Sequence, residues 1–142
     1  NKWDLASGTN VSAELYKEDM YMEFKDLQHY PILFVSALTK RRVSNILEIA
    51  WEIFTKQRDK LSTKELNVWI EKAVRNYPPP ATQGKSIKIK FVEQVQQSPP
   101  IFALFSNYPK LISIQYLRYL HNQLRESFDL KGITIKFSLR KG

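Results

Sequence analysis

The stretch from Lys110 to Phe128 limits the possible folds more than any other part of this chain, because it joins a long helical period to a dense supply of bulky side chains. Ile114, Leu117, His121, Leu124 and Phe128 recur at three- and four-residue steps, and Leu120 and Ser127 widen the same stripe. Such a stripe is a buried face. Pro109 before it and Gly132 after it bracket the element. A face this wide needs a sheet to cover it, and the flanks supply the strands. The opposite side carries Arg118, Asn122 and Arg125, which are either a solvated helix surface or a row of donors for a phosphate backbone.

Ser86 to Gln94 alternates, with Ile87, Ile89 and Phe91 on one face and Lys88, Lys90 and Val92 on the other, as in a strand with one dry side. Ser98-Pro99-Pro100 interrupts it, and Ile101 to Phe105 resumes as a second strand. Beyond the helix, Ile133, Ile135, Phe137 and Leu139 alternate with Thr134, Lys136, Ser138 and Arg140 as a third. Upstream, Ser62 and Glu65 have the spacing of a capping box for a helix that runs to about Asn76 and buries Leu66, Trp69, Ile70, Ala73 and Tyr77. Pro78-Pro79-Pro80 stops that helix. The order from Ser62 onward is α-β-β-α-β, an α+β unit with helices on one face of a three-stranded sheet.

The earlier part reads differently. A compact polar cluster, Asn1-Lys2-Trp3-Asp4, precedes a loop of Ser7-Gly8-Thr9-Asn10. Glu14 to Leu27 reads as a helix with Leu15, Met20, Phe24 and Leu27 on one side. Ile32-Leu33-Phe34-Val35 has no polar alternation, as in a strand of a parallel sheet buried on both faces. After the turn Ser36 to Thr39 and the basic Lys40-Arg41-Arg42, Ser44 caps a helix from Asn45 to about Arg58 that turns Ile46, Leu47, Ala50, Ile53 and Phe54 inward. Helix, strand, helix is a fragment of an α/β layer. We place the boundary at the polar connection Asp59-Lys60-Leu61, giving domains 1–59 and 60–142.

Charge separates the two parts. Residues 1–59 hold 8 Lys/Arg against 9 Asp/Glu, net −1, so the remaining 14 against 5 put +9 on residues 60–142, out of a total of +8. A block so one-sided either seeks a polyanion, most often nucleic acid, or serves colloidal solubility. The absence of cysteine excludes disulfides, thiolate metal sites and cysteine nucleophiles, and fits a reducing compartment. No run of eighteen apolar residues occurs, so no membrane is expected and a cytoplasmic location is the default. His29 and His121 lack ligand-spaced partners, and His121 lies on the apolar stripe as a hydrogen-bonded core residue. Neither a metal site nor a catalytic set is expected.

Asn1-Lys2-x-Asp4 has the chemistry of a guanine reader. A carboxylate at Asp4 accepts two parallel hydrogen bonds from the guanine ring N–H and exocyclic amine, which adenine cannot supply. Lys2 would lay its stem over the purine, and Asn1 would tie the loop to its neighbours. Ser36-Ala37-Leu38, at the end of the dry run, matches the turn in which GTPases offer a backbone N–H to the guanine carbonyl.

With these motifs stand Pro31 to Leu38, Ser62-Thr63-x-Glu65-Leu66-Asn67, Tyr77-Pro78-Pro79-Pro80, Gln94-Val95 with Pro99-Pro100, and Tyr116-Leu117-Arg118-Tyr119-Leu120 with Asn122-x-Leu124-Arg125. In these the chain resembles the C-terminal end of the Der (EngA) family of bacterial tandem GTPases: the close of the second G domain, a P-loop GTPase α/β layer, then a KH-like αββαβ domain. The resemblance implies a GTPase acting in maturation of the large ribosomal subunit, with GTP or GDP and Mg²⁺ as cofactors, and with ribosomal RNA and its own G domains as partners. It implies guanine contacts from Asn1, Lys2, Asp4, Ser36 and Ala37. The basic residues Lys85, Lys88, Lys90, Arg118, Arg125, Lys136, Arg140 and Lys141 would meet rRNA.

The departures carry expectations of their own. No Gly-x-x-x-x-Gly-Lys-Ser/Thr loop occurs, so this chain alone should neither hydrolyse GTP nor hold nucleotide tightly, and it reads as a portion of a longer protein whose first part is labile or covered by a partner. Gly84 and Gly132 are isolated, whereas RNA-binding KH domains clamp backbone with Gly-x-x-Gly. The KH-like domain therefore binds rRNA by charge, or else docks on the G domains as a regulatory module without touching RNA. An unrelated enzyme acting alone lacks any nucleophile, metal or acid–base set here.

Overall fold

The computed structural model describes residues 1–6 and 12–142, so the expected loop Ser7 to Asn10 lies outside the described residues. Contacts divide the chain into two compact units: Asn1–Lys56 with Lys131–Ile133, and Gln57–Leu130 with Thr134–Gly142.

In the second unit the elements follow the expected order: α3 (Thr63–Asn76), β1 (Ile89–Gln97), β2 (Pro100–Ser106), α4 (Ile114–Ser127) and β3 (Lys136–Lys141), after α1 and α2 of the first unit. The sheet runs β1-β2-β3. β1 is antiparallel to β2, and β2 is parallel to β3. This is the α+β, αββαβ arrangement. Leu66, Trp69, Ile70 and Ala73 of α3 are buried, as their spacing requires. They meet Val92, Phe102 and Leu104 on one side of the sheet, all at 0% exposure. Across α4 the buried row is Tyr116, Leu120 and Leu124, a clean four-residue step. Ile114, expected on that row, is 67% exposed. The reason is the cap: Ser113 Oγ accepts the Tyr116 N–H at 3.2 Å, which makes Ile114 the first helical residue and turns it to solvent, while Ile112 before the cap is buried instead.

The facing of β1 differs from simple alternation. Ile87 is buried, yet Phe91 is exposed and Val92 and Gln94 are buried. The register shifts between Ile89 and Phe91, and again between Gln94 and Gln96. Each shift is a bulge, and one extra residue at Lys90 moves every later side chain to the other face. Val92 thereby points inward and Phe91 outward. The capping box is also replaced. Ser62 occupies the N-cap of α3 but its side chain makes no cap hydrogen bond, and the Leu66 N–H is met by the Ser62 carbonyl at 3.0 Å.

β1 is an edge strand, and its outward backbone groups are closed by a side chain. Asn67 Oδ1 accepts the Val92 N–H at 3.0 Å, and Asn67 Nδ2 donates to the Val92 carbonyl at 3.0 Å and to Thr63 O at 2.7 Å. One amide thus replaces a missing neighbour strand. The buried Gln94 accepts the Leu61 N–H at 2.8 Å. The last carbonyls of α3 are taken by two phenols: Tyr119 donates to Ala73 O and Tyr116 to Tyr77 O, each at 2.8 Å. These bonds satisfy a helix end that the proline triplet prevents from continuing.

In the first unit, α1 spans Ala13–Glu23 and α2 spans Ser44–Gln57. Ile32 to Val35 are half-buried and form no strand; among the described residues their backbone has no ladder partner, and the Val35 carbonyl accepts the Trp3 N–H at 3.0 Å. The expected strand needs sheet neighbours that these residues do not have. For the same reason the inward face assigned to α2 is open. Leu47 is 76% exposed, with Ile46 and Phe54 exposed as well, and in α1 Leu15 is exposed where burial was expected. What packing exists is aromatic: Trp3 lies 4.5 Å from Phe34, and Tyr16 meets both at 5.9 and 5.7 Å. Gly132, at φ +80, donates its N–H to His29 O at 2.7 Å, and a Cβ there would stand 2.8 Å from Ile53 Cδ1.

Asn67→Ala leaves the Val92 N–H and carbonyl unpaired at a part-buried edge and is expected to cost about 2–3 kcal/mol, read by urea unfolding. Burial, with Tyr119 and Tyr77 close by, raises the Tyr116 phenol well above its usual range. A raised folded-state value contributes stability that is fully present below about pH 10, where the unfolded phenol titrates, and is lost as pH rises beyond it. Tyr116→Phe should therefore cost about 1 kcal/mol at neutral pH and flatten the alkaline fall in melting temperature.

Candidate functional site

The first unit brings the five guanine-motif residues together. Asn1, Lys2 and Asp4 stand across a cleft of about 480 Å³ from Ala37 and Leu38. The Ser36 hydroxyl, fully buried, donates to Asp4 Oδ1 and accepts the Thr39 N–H at 3.2 Å. Asn1 Oδ1 accepts the Ala37 N–H at 3.1 Å and the Lys2 N–H at 2.7 Å. Asn1 and Asp4 therefore fasten the Ser36-Ala37 turn from both ends, across more than thirty residues of sequence. The fastening holds backbone in a costly form: Lys2, Lys40 and Arg42 adopt φ of 61°, 58° and 57°, each of which costs a non-glycine residue about 1 kcal/mol. Such strain persists where surrounding bonds over-determine it. Ser36 bonds Oδ1 of Asp4, and Oδ2 of the same carboxylate remains an acceptor beside the cleft. The Ala37 N–H is directed to Asn1 in this arrangement rather than to the open cleft.

Among the described residues no group of three or more His, Cys, Asp or Glu is placed to hold a metal ion. His29 lends its carbonyl to Gly132, and His121 meets the Phe137 ring edge-on at 6.4 Å from half-buried α4.

In the second unit, the eight basic candidates divide into one cluster and three residues that stand apart. Five gather at one end of the sheet. Cross-strand register sets Ile89 opposite Ser106 and Phe91 opposite Phe105, while Phe105 and Ser106 face Arg140 and Lys141. Lys88, Lys90, Arg140 and Lys141 are thus neighbours across three strands. Lys85 joins them through a tight turn, in which Thr82 and Lys85 exchange backbone bonds at 3.2 and 3.0 Å around Gln83 and Gly84 at positive φ. All five are exposed and, among the described residues, make no ion pair. Lys136, opposite Ile101, stands at the far end of the same sheet, and Arg118 is exposed on α4. Arg125 is half-buried, and its Nη1 donates to the Leu130 carbonyl at 2.7 Å, so its guanidinium closes the C-terminus of α4.

Aromatic rings interleave with the five cations, a feature that charge counting did not single out. Phe91 stacks on Phe105 at 4.1 Å and 13°, Arg140 lies 5.9 Å from the Phe105 centroid, and Lys85 lies 5.1 Å from that of Tyr108.

The family model for the KH-domain-like, C-terminal part of EngA bacterial GTPase enzymes matches residues 60–140. The chain belongs to the EngA family. Its EngA match covers the αββαβ unit almost end to end, and similarity to curated relatives extends over the guanine motif as well. The chain is 40% identical over 141 residues to GTPase Der of Amoebophilus asiaticus, covering 99% of this chain and 33% of that protein. It is 38% identical to GTPase Der of Flavobacterium johnsoniae over 99% of its length and 32% of the relative. To GTPase Der of Fusobacterium nucleatum it is 43% identical over 97% of its length, again 32% of the relative. This EngA chain therefore spans about a third of the length of the relatives it matches.

Proposed function

We propose that the chain is the C-terminal part of a GTP-binding protein acting in ribosome biogenesis, in assembly of the large subunit, with the basic KH-like unit contacting ribosomal RNA. The carrying observation is the gathering of Lys85, Lys88, Lys90, Arg140 and Lys141 at one end of the sheet with no carboxylate among the described residues paired to any of them. A cluster of uncompensated cations on a rigid sheet suits phosphates, whose counterions it releases. Lys136, at the far end of the sheet, and Arg118, on α4, stand apart from this cluster, while Arg125 is committed to its helix end. The division of labour follows the boundary near Asp59: guanine reading before it, RNA contact after it.

In the full-length protein GTP or GDP would be held at its base by Asn1, Lys2, Asp4, Ser36 and Ala37, with the Ala37 N–H exchanging Asn1 Oδ1 for the guanine carbonyl. These residues do not fit a triphosphate or Mg²⁺, and no hydrolytic step is assigned to them. The exposed apolar face of α2, with Leu47 at 76% and Trp51 at 67%, supports the protein's own G domains as a second partner. No described helix is long and apolar enough to cross a membrane, and an rRNA partner implies a cytoplasmic location.

Binding of this chain to 23S-type rRNA fragments, titrated with salt, tests the reading. Engagement of five cations predicts a log–log salt slope of about −3.5 to −4.5. Lys88→Glu with Lys90→Glu should flatten it by about two. A flat salt response, or no binding at low salt, would instead favour docking on the G domains without RNA.

A further inference from the structure

We propose that the open face of the KH-like sheet holds an unpaired RNA base stacked on Phe91, in line with Phe105 and Arg140. The inference rests on the RNA reading above and adds which part of the RNA is met and by what chemistry.

Both helices lie on the side of the sheet that carries Val92, Leu104, Phe102 and Phe137. Phe91, Phe105 and Arg140, in register across three strands, belong to the side opposite α3 and α4. Plain alternation from Ile87 and Ile89 would send Phe91 into the core. The bulge at Lys90 sends it out, and bulges are used to re-aim side chains in this way. The outcome is a ladder: Phe91 stacks on Phe105 at 4.1 Å, and Phe105 carries the Arg140 guanidinium, 5.9 Å from its centroid. Since β1 is the edge strand, nothing in the sheet continues the ladder past Phe91, whose ring stays 40% exposed.

An aromatic stack that ends in an open ring is a seat for another planar π system. Its surroundings decide which. Lys90 precedes Phe91 at the bulge, Lys88 lies just before β1, and Lys141 stands across Ser106, all without ion pairs among the described residues. Glu93 stands opposite Ala103 further along the same face, and Glu71 shares a groove with Lys90. Positive charge beside an apolar ring matches a base with its flanking phosphates, the pattern of stacking platforms for single strands. A cross-strand aromatic pair also steadies the hairpin, and it leaves the outer face of the Phe91 ring open to a further stack. A duplex hides its bases within its own stack, so the seat discriminates in favour of unpaired RNA.

The test compares an unstructured ten-nucleotide RNA with a duplex of equal length, by fluorescence anisotropy on the 142-residue chain at one fixed salt concentration. Phe91→Ala and Phe91→Leu should each weaken single-strand binding about tenfold and leave duplex binding within about twofold, while Phe91→Trp should retain both. Because Phe91 faces solvent, thermal melting should show all three variants folded, and Phe91→Leu keeps an apolar contact on Phe105 as a further control. Equal affinity of the wild type and the variants for the single strand would overturn the stacking seat while leaving charge-mediated RNA binding intact. Equal losses on both RNAs would also overturn it. Absence of binding to either RNA by the wild type would remove the RNA reading itself.

Discussion

The architecture of the KH-like unit depends on how a single amide meets an edge strand. Asn67, one turn into α3, supplies both a donor and an acceptor to Val92, so the helix is fixed to β1 by hydrogen bonds that a neighbouring strand would otherwise make. That attachment determines which residue of β1 faces the core. With Val92 held beneath α3, the preceding Lys90 has to be accommodated as a bulge, and Phe91 is turned to the open side. The position of the core, the closure of the edge and the aromatic ladder thus share one cause.

The two parts of the chain differ in what they bury. In the KH-like unit Leu66, Val92, Phe102, Leu104, Leu120 and Leu124 reach full burial, enough for a self-contained core. In the first unit the large side chains of α2 stay open, and order is concentrated where Asn1 and Asp4 clasp the Ser36-Ala37 turn. A clasp made of hydrogen bonds holds a loop shape without needing a core. This is why the guanine motif is assembled even where the adjoining run Ile32 to Val35 has found no sheet.

Much of this was legible in the sequence, and the failures are physical. Helices were readable because their periods are local: α3 buries Leu66, Trp69, Ile70 and Ala73 as expected, though Tyr77 stays exposed, and α2 begins and ends within a residue of the expected places. The pairing of Asn1 and Asp4 with the Ser36-Ala37 turn was readable because short polar side chains in that pattern bond to one another and to backbone. The facing of β1 was not, because Phe91 and Val92 are both apolar and a one-residue bulge exchanges them without altering composition. The signal available was Val92 itself, an apolar residue that simple alternation assigned to the polar side. The row on α4 slipped for a similar reason, since Ser113 rather than Pro109 sets the start of the helix and so the phase of its buried residues. Arg125 looked free in the sequence because its acceptor, the Leu130 carbonyl, appears only once the helix has ended.

The facing of Phe91 is open to direct observation. In nuclear Overhauser spectra of the folded chain, the Phe91 ring protons should show strong cross-peaks to the Phe105 ring, and the Phe105 ring to the Arg140 side chain, while the Val92 methyls contact Leu66 and Leu104. Cross-peaks from the Phe91 ring to Leu66 or Ile70 in place of those to Phe105 would mean that β1 runs without its bulge, and the edge attachment from which the aromatic ladder and its cations were derived would be wrong.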